Sequence, residues 1–409
     1  MNKIFLEQIK KIKADTLRFK KSKKNSKNNK NFFIKTDNVY FDYSRNTFDD
    51  KLIKKLLNLA EIIDIKNKYK ELINGHEVNI SEKRKVLHPA LRRVSPSLDK
   101  SISKKIYDHK GYLKKISNDI RSGRKKSFSN KNYTDVVSIG TGGSFFGIKA
   151  VYESLKNYSS VKIKLHFISN LDFTENRDLL LKLNPKTTLF IVVSKSFRTI
   201  ETIENIKKIK QWLNKSSNKS NIMNNFLAVT ENDSEALKLG IHEDNIIKIW
   251  DWLGGRYSIW SGVSIGLIIA IGYTNFNKFL NGAEKADKHF SQSKYNKNIP
   301  VIMALISFYY TTYFGAQSHL ILPYNYRLRF LQDHIQQLEM ESNGKSLDVD
   351  GKSISSKAGN IVWGGSGSCS QHSFYQLLHQ GNLIIPSDFI ISKKSDCGSQ
   401  DNHDMLFSN

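Results

Sequence analysis

The feature that most narrows the fold is an alternation between residues 135 and 250. Apolar runs of strand length, at 135–139, 162–168, 188–193, 226–229 and 246–250, are separated by segments of helical character at about 144–156, 174–183, 199–213 and 233–239. Near-continuous apolar runs are what strands buried on both faces require. Strand, helix, strand, repeated, predicts an α/β unit whose parallel sheet is covered by helices on both sides. A second, shorter alternation starts near Pro300. It reads as a helix over 301–314, a strand over 320–323, a helix over 327–340, a strand over 361–363, a helix over 371–380, a strand over 383–390 and the start of a helix near Asn402. Residues 1–105 read as helical and loop-rich. Within them 20–31 (KKSKKNSKNNKN) predicts a mobile low-complexity loop, and 214–221 (NKSSNKSN) predicts a polar insert in the first unit.

Composition removes several classes. A chain of 409 residues is long enough for two or three domains and for a core that needs no staples. Hydrophobic residues at 39% and aromatics at 11% exclude a mostly disordered protein. The two cysteines, Cys369 and Cys397, form no CxxC pair, which excludes a disulfide scaffold and a zinc ribbon. Two lone thiols fit a reducing compartment, and the expected location is the cytoplasm. The N-terminal string MNKIFLEQIKKIK has no continuous apolar core, so it is not a signal peptide. The longest apolar stretches, 262–273 and 301–316, fall short of the ~18–20 residues that span a bilayer and predict buried helices instead. The net charge of +26 fits either a nucleic-acid or membrane-surface binder or a general lysine and asparagine bias. The lysines are scattered, and no basic stripe interleaved with aromatics stands out, so neither nucleic acid nor membrane is expected as a partner.

Five strings could carry chemistry. VVSIGTGGSFFG (136–147) follows a strand and opens a helix, where glycines let the backbone approach an anion. It departs from the dinucleotide fingerprint at Phe145 and has no acidic residue at the expected offset, so a nicotinamide cofactor is not expected. The remaining alternatives are an anion-binding turn and a turn that only packs the helix. VVSKSFRTIET (192–202) sets Ser194, Ser196 and Thr199 in a strand-to-helix loop, suited either to a phosphate or to simple N-capping. DWLGGRYSIWSG (251–262) has a Gly-Gly pair that can aim Arg256 as one fixed cation, or form a surface turn. QQLEMESNGK (336–345) ends a helical pattern at Glu341, which is a general base if partly desolvated or a solvated helix end if not. WGGSGSCSQHSFYQLLHQG (363–381) sets His372 at a predicted helix start, where the dipole disfavours its charge and suits proton exchange; a structural histidine is the alternative. No histidine, cysteine or carboxylate spacing fits a metal, and no cofactor is expected.

Taken in order, these five strings and ISEKRKVLHPALR (80–92) resemble the glucose-6-phosphate isomerase family over roughly residues 76–407. The resemblance implies two sugar-isomerase (SIS) domains, each an αβα sandwich with a parallel sheet. It implies an N-terminal helical segment (1–105) packing with the second domain, a first domain at 106–280, and a second at 281–409 truncated at its C-terminus. It also implies interconversion of glucose 6-phosphate and fructose 6-phosphate through an enediolate, in glycolysis and gluconeogenesis. By the same resemblance Glu341 is the base, Arg256 stabilises the enediolate, His372 opens the sugar ring, and Glu201 supports that histidine. Ser194, Lys195, Ser196 and Thr199 match the phosphate loop; Gly143, Ser144 and Gln337 match further substrate contacts. The histidine comes from a neighbouring subunit in the family, which implies a homodimer. Phe145 stands where the family usually has a polar residue, Ser196 where it has threonine, and GSGSCS (365–370) where it has EPGTNG. A catalytic lysine and a final helical segment of the family lie beyond Asn409, so the chain as given is expected to be an incomplete and nearly inactive isomerase. A non-catalytic sugar-phosphate sensor is the alternative.

Overall fold

The computed structural model describes residues 3–21, 32–216, 221–354, 358–394 and 398–408. Most of the low-complexity stretch at 20–31, the centre of the insert at 214–221, and Cys397 lie outside these residues. Helix α1 (Lys3–Lys21) packs on α2 (Asp50–Ile62). Between them a short antiparallel hairpin pairs β1 (Phe33–Lys35) with β2 (Tyr40–Asp42). This hairpin departs from the helical reading of 1–105. Its three-residue strands are too short to show a period of two, and it is held by stacked rings such as Phe33 on Tyr40, with centroids 5.5 Å apart. Helices α3 (Ile65–Ile73) and α4 (Lys100–Arg121) follow.

The larger sheet is parallel. Strands β3 (Asp135–Ile139), β4 (Lys164–Ile168), β5 (Thr188–Val193), β6 (Phe226–Thr230) and β7 (Ile246–Lys248) lie in the order β4-β3-β5-β6-β7. Their connections run through α5 (Phe146–Ser154), α6 (Phe173–Leu180), α7 (Ile200–Asn214) and α8 (Asp233–Lys238). Central strand β5 is buried along its whole length. Its Leu189, Ile191 and Val193 point into one core with Ile106 and Leu113 of α4 and with α9 (Ile265–Ile271), joined by Phe276 and Leu280 of α10 (Tyr273–Gln292). Its Phe190 and Val192 point the other way, against Leu180, Ile206, Ile209 and Ala236 of α6, α7 and α8. Successive side chains of a strand face opposite sides, so a strand apolar at every position can be stable only between two layers.

The second sheet is smaller. Helix α11 (Ile299–Tyr309) leads into β8 (Ser318–Pro323), and α12 (Leu331–Gln336) leads towards β9 (Ile361–Gly364). Short helices α13 (Gly367–Ser370) and α14 (Tyr375–Gln380) precede β10 (Ser387–Ile390), and α15 (Gln400–Ser408) follows it. The parallel order is β10-β8-β9. A third core joins Ile12, Phe48, Leu52 and Leu56 to Val301, Ile302, Leu305 and Tyr309 of α11, so the N-terminal helices pack on the helix that enters this second sheet. Two predicted helices are broken. The segment read as 327–340 becomes a 3-10 turn (Tyr326–Leu328), α12 and a π-turn (Gln337–Glu341). The segment read as 371–380 is interrupted at Phe374, with φ −139°, where its ring packs 4.8 Å from Trp363 of β9.

Candidate active site

Parallel sheets bind ligands where the strand order reverses, outside the carboxyl ends of the strands. Here the chain leaves β3 outward to β4 and returns on the other side to β5, so the reversal lies at β3 and β5. Residues Ile139 and Val192 are register partners, and the loops after both strands emerge side by side. A cleft of about 320 Å³ opens there, lined among others by Thr141, Gly142, Phe145, Ser169, Asn170 and Glu201.

The glycines of the first loop are set by close approach. A Cβ on Gly140 would sit 2.8 Å from that of Ser144 and 3.0 Å from the Val193 carbonyl oxygen. A Cβ on Gly143 would lie 2.3 Å from the carbonyl carbon and oxygen of Gly255 and 2.8 Å from the Arg256 nitrogen. The loop therefore lies flush on the Gly-Gly-Arg turn, and the Ser258 hydroxyl donates to the Gly143 carbonyl at 3.3 Å. Arg256 is half-buried, 4.7 Å over the Tyr257 ring, and its Nε is buried without a hydrogen-bond partner among the described residues. An unpartnered buried donor is costly, and a ligand oxygen is the natural partner.

The second loop is built around the buried Ser194. Its hydroxyl accepts from the Phe197 amide at 3.1 Å and lies 3.2 Å from the Thr199 hydroxyl. Thr199 occupies the N-cap of α7 but makes no side-chain cap bond, so simple capping does not explain that hydroxyl. Phe197 takes φ +57° with its ring buried, a conformation that L-residues rarely adopt and that the packed ring holds in place. The Ser196 hydroxyl is exposed and accepts from the Arg198 amide at 3.3 Å. Lys195 donates to the carbonyls of Asp251 at 2.8 Å and Leu253 at 3.3 Å, which ties this loop to the turn that carries Arg256. Glu201 sits in the first turn of α7 and lines the cleft together with Gly142.

The other two strings are placed differently from expectation. Glu341 ends the π-turn exposed rather than desolvated, and its carboxylate accepts from Nε2 of the buried Gln337. The amide oxygen of Gln337, Oε1, is buried without a partner among the described residues. The turn is pinned to β9 by Gln336 Nε2 donating to the Val362 carbonyl at 2.9 Å and by the Val362 amide against Met340 Sδ at 3.4 Å. His372 does not open a helix. It lies exposed in the turn after α13, its amide donating to Cys369 at 2.9 Å. Among the described residues no hydrogen bond or ion pair joins His372 to Glu341 or Arg256.

Sequence reasoning assigned no role to His88. It stacks on Tyr257 at 4.2 Å and 14°, and its Nδ1 is buried with no partner among the described residues. Burial, then the charges of Arg92 and Arg256, push its pKa down to about 3, so the ring beside the arginine is neutral. A histidine inside an apolar string, Leu87–Leu91, was the available signal.

Two parallel sheets, the larger carrying a hydroxyl-rich loop and a glycine-seated arginine at its switch point, define an α/β protein of the sugar-isomerase fold. The family profile described as phosphoglucose isomerase matches residues 42–409. A glucose-6-phosphate isomerase from Francisella tularensis subsp. tularensis is 42% identical over 385 residues, covering 93% of this chain and 71% of that one. Its counterpart from Francisella philomiragia is 42% identical over 375 residues, covering 90% of this chain and 69% of that one. The crystal structure of a glucose-6-phosphate isomerase from Chlamydia trachomatis superposes with a TM-score of 0.85 at 29% identity, covering 93% of this chain and 74% of that one. The chain belongs to the phosphoglucose isomerase family.

Proposed function

We propose that the protein is an aldose–ketose isomerase that interconverts glucose 6-phosphate and fructose 6-phosphate through an enediolate. The observation that carries this reading is the seating of Gly143 on the Gly255–Arg256 backbone, which sets beside the first loop an arginine whose Nε is buried without a partner among the described residues. Ser194, Lys195, Ser196 and Thr199 form the phosphate loop, and Gly143, Ser144 and Gln337 make further substrate contacts. Glu341 removes the proton from C2 of the open-chain aldose. The C2 hydroxyl proton is lost as O1 gains one, and the proton held by Glu341 is returned to C1. Arg256 stabilises the negative charge that develops on the enediolate oxygens. His372, supported by Glu201, transfers the proton that opens the ring, and it is contributed by the second subunit of a homodimer. The domains divide at 1–105, 106–280 and 281–409, and the enzyme works in the cytoplasm without metal or cofactor. The exposure of Glu341 in one chain supports a site completed by a partner, because a general base gains strength when water is excluded.

The test is a coupled assay. Fructose 6-phosphate is supplied, and the glucose 6-phosphate formed is oxidised by its dehydrogenase. Saturable conversion above background, abolished in Arg256→Ala, is expected. Binding of 6-phosphogluconate without any conversion would favour the sensor reading instead.

A further inference from the structure

Helix α5 touches both halves of the site. Its leading loop carries Gly143, which lies on Arg256. Its last turn carries Glu153, whose side chain is 6% exposed and sits among three cations: Arg329, Lys149 at 3.4 Å and Lys156 at 3.7 Å. Arg329 belongs to the segment that runs into α12 and the π-turn bearing Gln337 and Glu341. Further contacts join the same two segments. Ser154 Oγ donates to the Arg327 carbonyl at 3.1 Å, and Lys149 Nζ lies 5.2 Å from the Phe330 ring. A Cβ on Gly147 would lie 3.0 Å from Cε1 of His334 in α12.

A buried carboxylate is unfavourable unless cations compensate it, and removing one partner leaves the other uncompensated. Burial raises the Glu153 pKa, but Lys149, the Arg329 hydrogen bond and Lys156 together bring it below the ordinary carboxylate value, so the group is charged. The pair is therefore a fixed strut between the first sheet's helix layer and the segment that ends at Glu341. We propose that Glu153 is a positioning residue: through Arg329 it sets the placement of the Glu341 turn relative to Arg256. This rests on Glu341 being the base. A displacement of about 1 Å at a reacting group can cost on the order of 100-fold in rate, so a strut remote from the substrate acts on kcat rather than on KM.

The experiment compares Glu153→Gln with Lys156→Met as control, and with Arg329→Lys as the milder second variant. In Glu153→Gln, kcat falls about 10- to 100-fold while KM stays within about 3-fold. The primary isotope effect with C2-deuterated glucose 6-phosphate rises, because proton transfer becomes slower. Amide exchange across 331–341 accelerates by at least about tenfold while β3 and β5 stay protected. Arg329→Lys moves every readout the same way by less. Lys156→Met moves none, because Lys156 is largely solvated, lies 3.7 Å from Glu153 and is bonded to none of the described residues in the segment of Arg329. Wild-type kcat and isotope effect in Glu153→Gln, whether or not exchange accelerates, would make the residue merely structural and overturn the proposal. A fall in kcat without faster exchange at 331–341 would overturn it as well, since the effect would not run through that turn. If Glu153→Gln does not fold, Arg329→Lys is judged by the same criteria. If the wild-type protein does not isomerise glucose 6-phosphate, the functional reading falls, and the exchange measurement alone decides the strut.

Discussion

At the scale of single residues the account assigns separable roles to neighbouring groups. Glu341→Gln keeps the shape of the side chain and removes its basicity. We expect kcat to drop by at least ~10²-fold with KM changed only a few-fold, read by steady-state kinetics. A variant within a few-fold of the wild type would assign the base to another residue. Gly143 has the opposite character, because what matters is the absence of an atom. Gly143→Ala sets a Cβ 2.3 Å from the Gly255 carbonyl, so the Arg256 turn must move. Overpacking of this kind costs about 1–3 kcal/mol, and we expect kcat/KM to fall at least ~10-fold as the guanidinium shifts. A buried histidine, His109, and a half-buried one, His88, make stability depend on pH. Burial, then Lys110, pushes His109 down to about 4, and His88 lies at about 3, both below the ordinary 6.5. The unfolded chain thus binds more protons than the folded one below pH 6.5. The contribution is fully present above that value and is lost as the pH falls, by about 2 kcal/mol per histidine between pH 6.5 and 5. Denaturant unfolding at the two pH values measures this. His109→Gln, which keeps an acceptor for the Gly262 amide bonded at 3.0 Å, should flatten the slope.

At the scale of elements, the tie between loops is the most exposed point of the design. Lys195 joins the proposed phosphate loop to the backbone of 251–253, so Lys195→Met should loosen both. The expected signature is a KM at least ~10-fold higher with a smaller change in kcat, since ground state and transition state share the phosphate contact. An unchanged KM would remove Lys195 from the binding loop. The elements also mark where sequence is a sufficient guide. The strands of the larger sheet are legible because the three inner ones, β3, β5 and β6, are largely apolar on both faces, and the starts of β3, β5, β6 and β7 fall where the apolar runs start. The hairpin at Phe33–Lys35 and Tyr40–Asp42 is not legible, because its pairing depends on ring stacking between residues seven apart. The π-turn at Gln337–Glu341 keeps helical spacing in sequence and is set by anchors from β9, 22 residues and more away. The break before α14 likewise depends on Trp363. The site's residue types are readable locally, whereas burial is not: Ser194 and the Arg256 Nε are enclosed by other segments, and Glu341 is left exposed.

At the scale of the whole molecule, a first apolar core fills one face of the larger sheet, a second fills the other, and the N-terminal helices share a third with α11. Cutting into the first of these is expensive: Ile191→Ala, at a fully buried position, should lower stability by about 2–5 kcal/mol in denaturant unfolding. The exposed His372 and Glu341 of one chain lead to a prediction about assembly. If each site takes His372 from the partner, mixing Glu341→Gln with His372→Ala, each inactive alone, produces heterodimers with one intact site, and about a quarter of the wild-type rate returns. No recovery after subunit exchange would confine each site to a single chain. The central claim, proton transfer between the first two sugar carbons, is tested most directly by incubating the protein with glucose 6-phosphate in deuterium oxide and following the products by NMR. The account predicts fructose 6-phosphate formed by the wild type and not by Glu341→Gln, with deuterium at C1 in those turnovers in which the proton on Glu341 exchanges with solvent before its return. Absence of the ketose, or its formation at the same rate with Glu341→Gln, would contradict it.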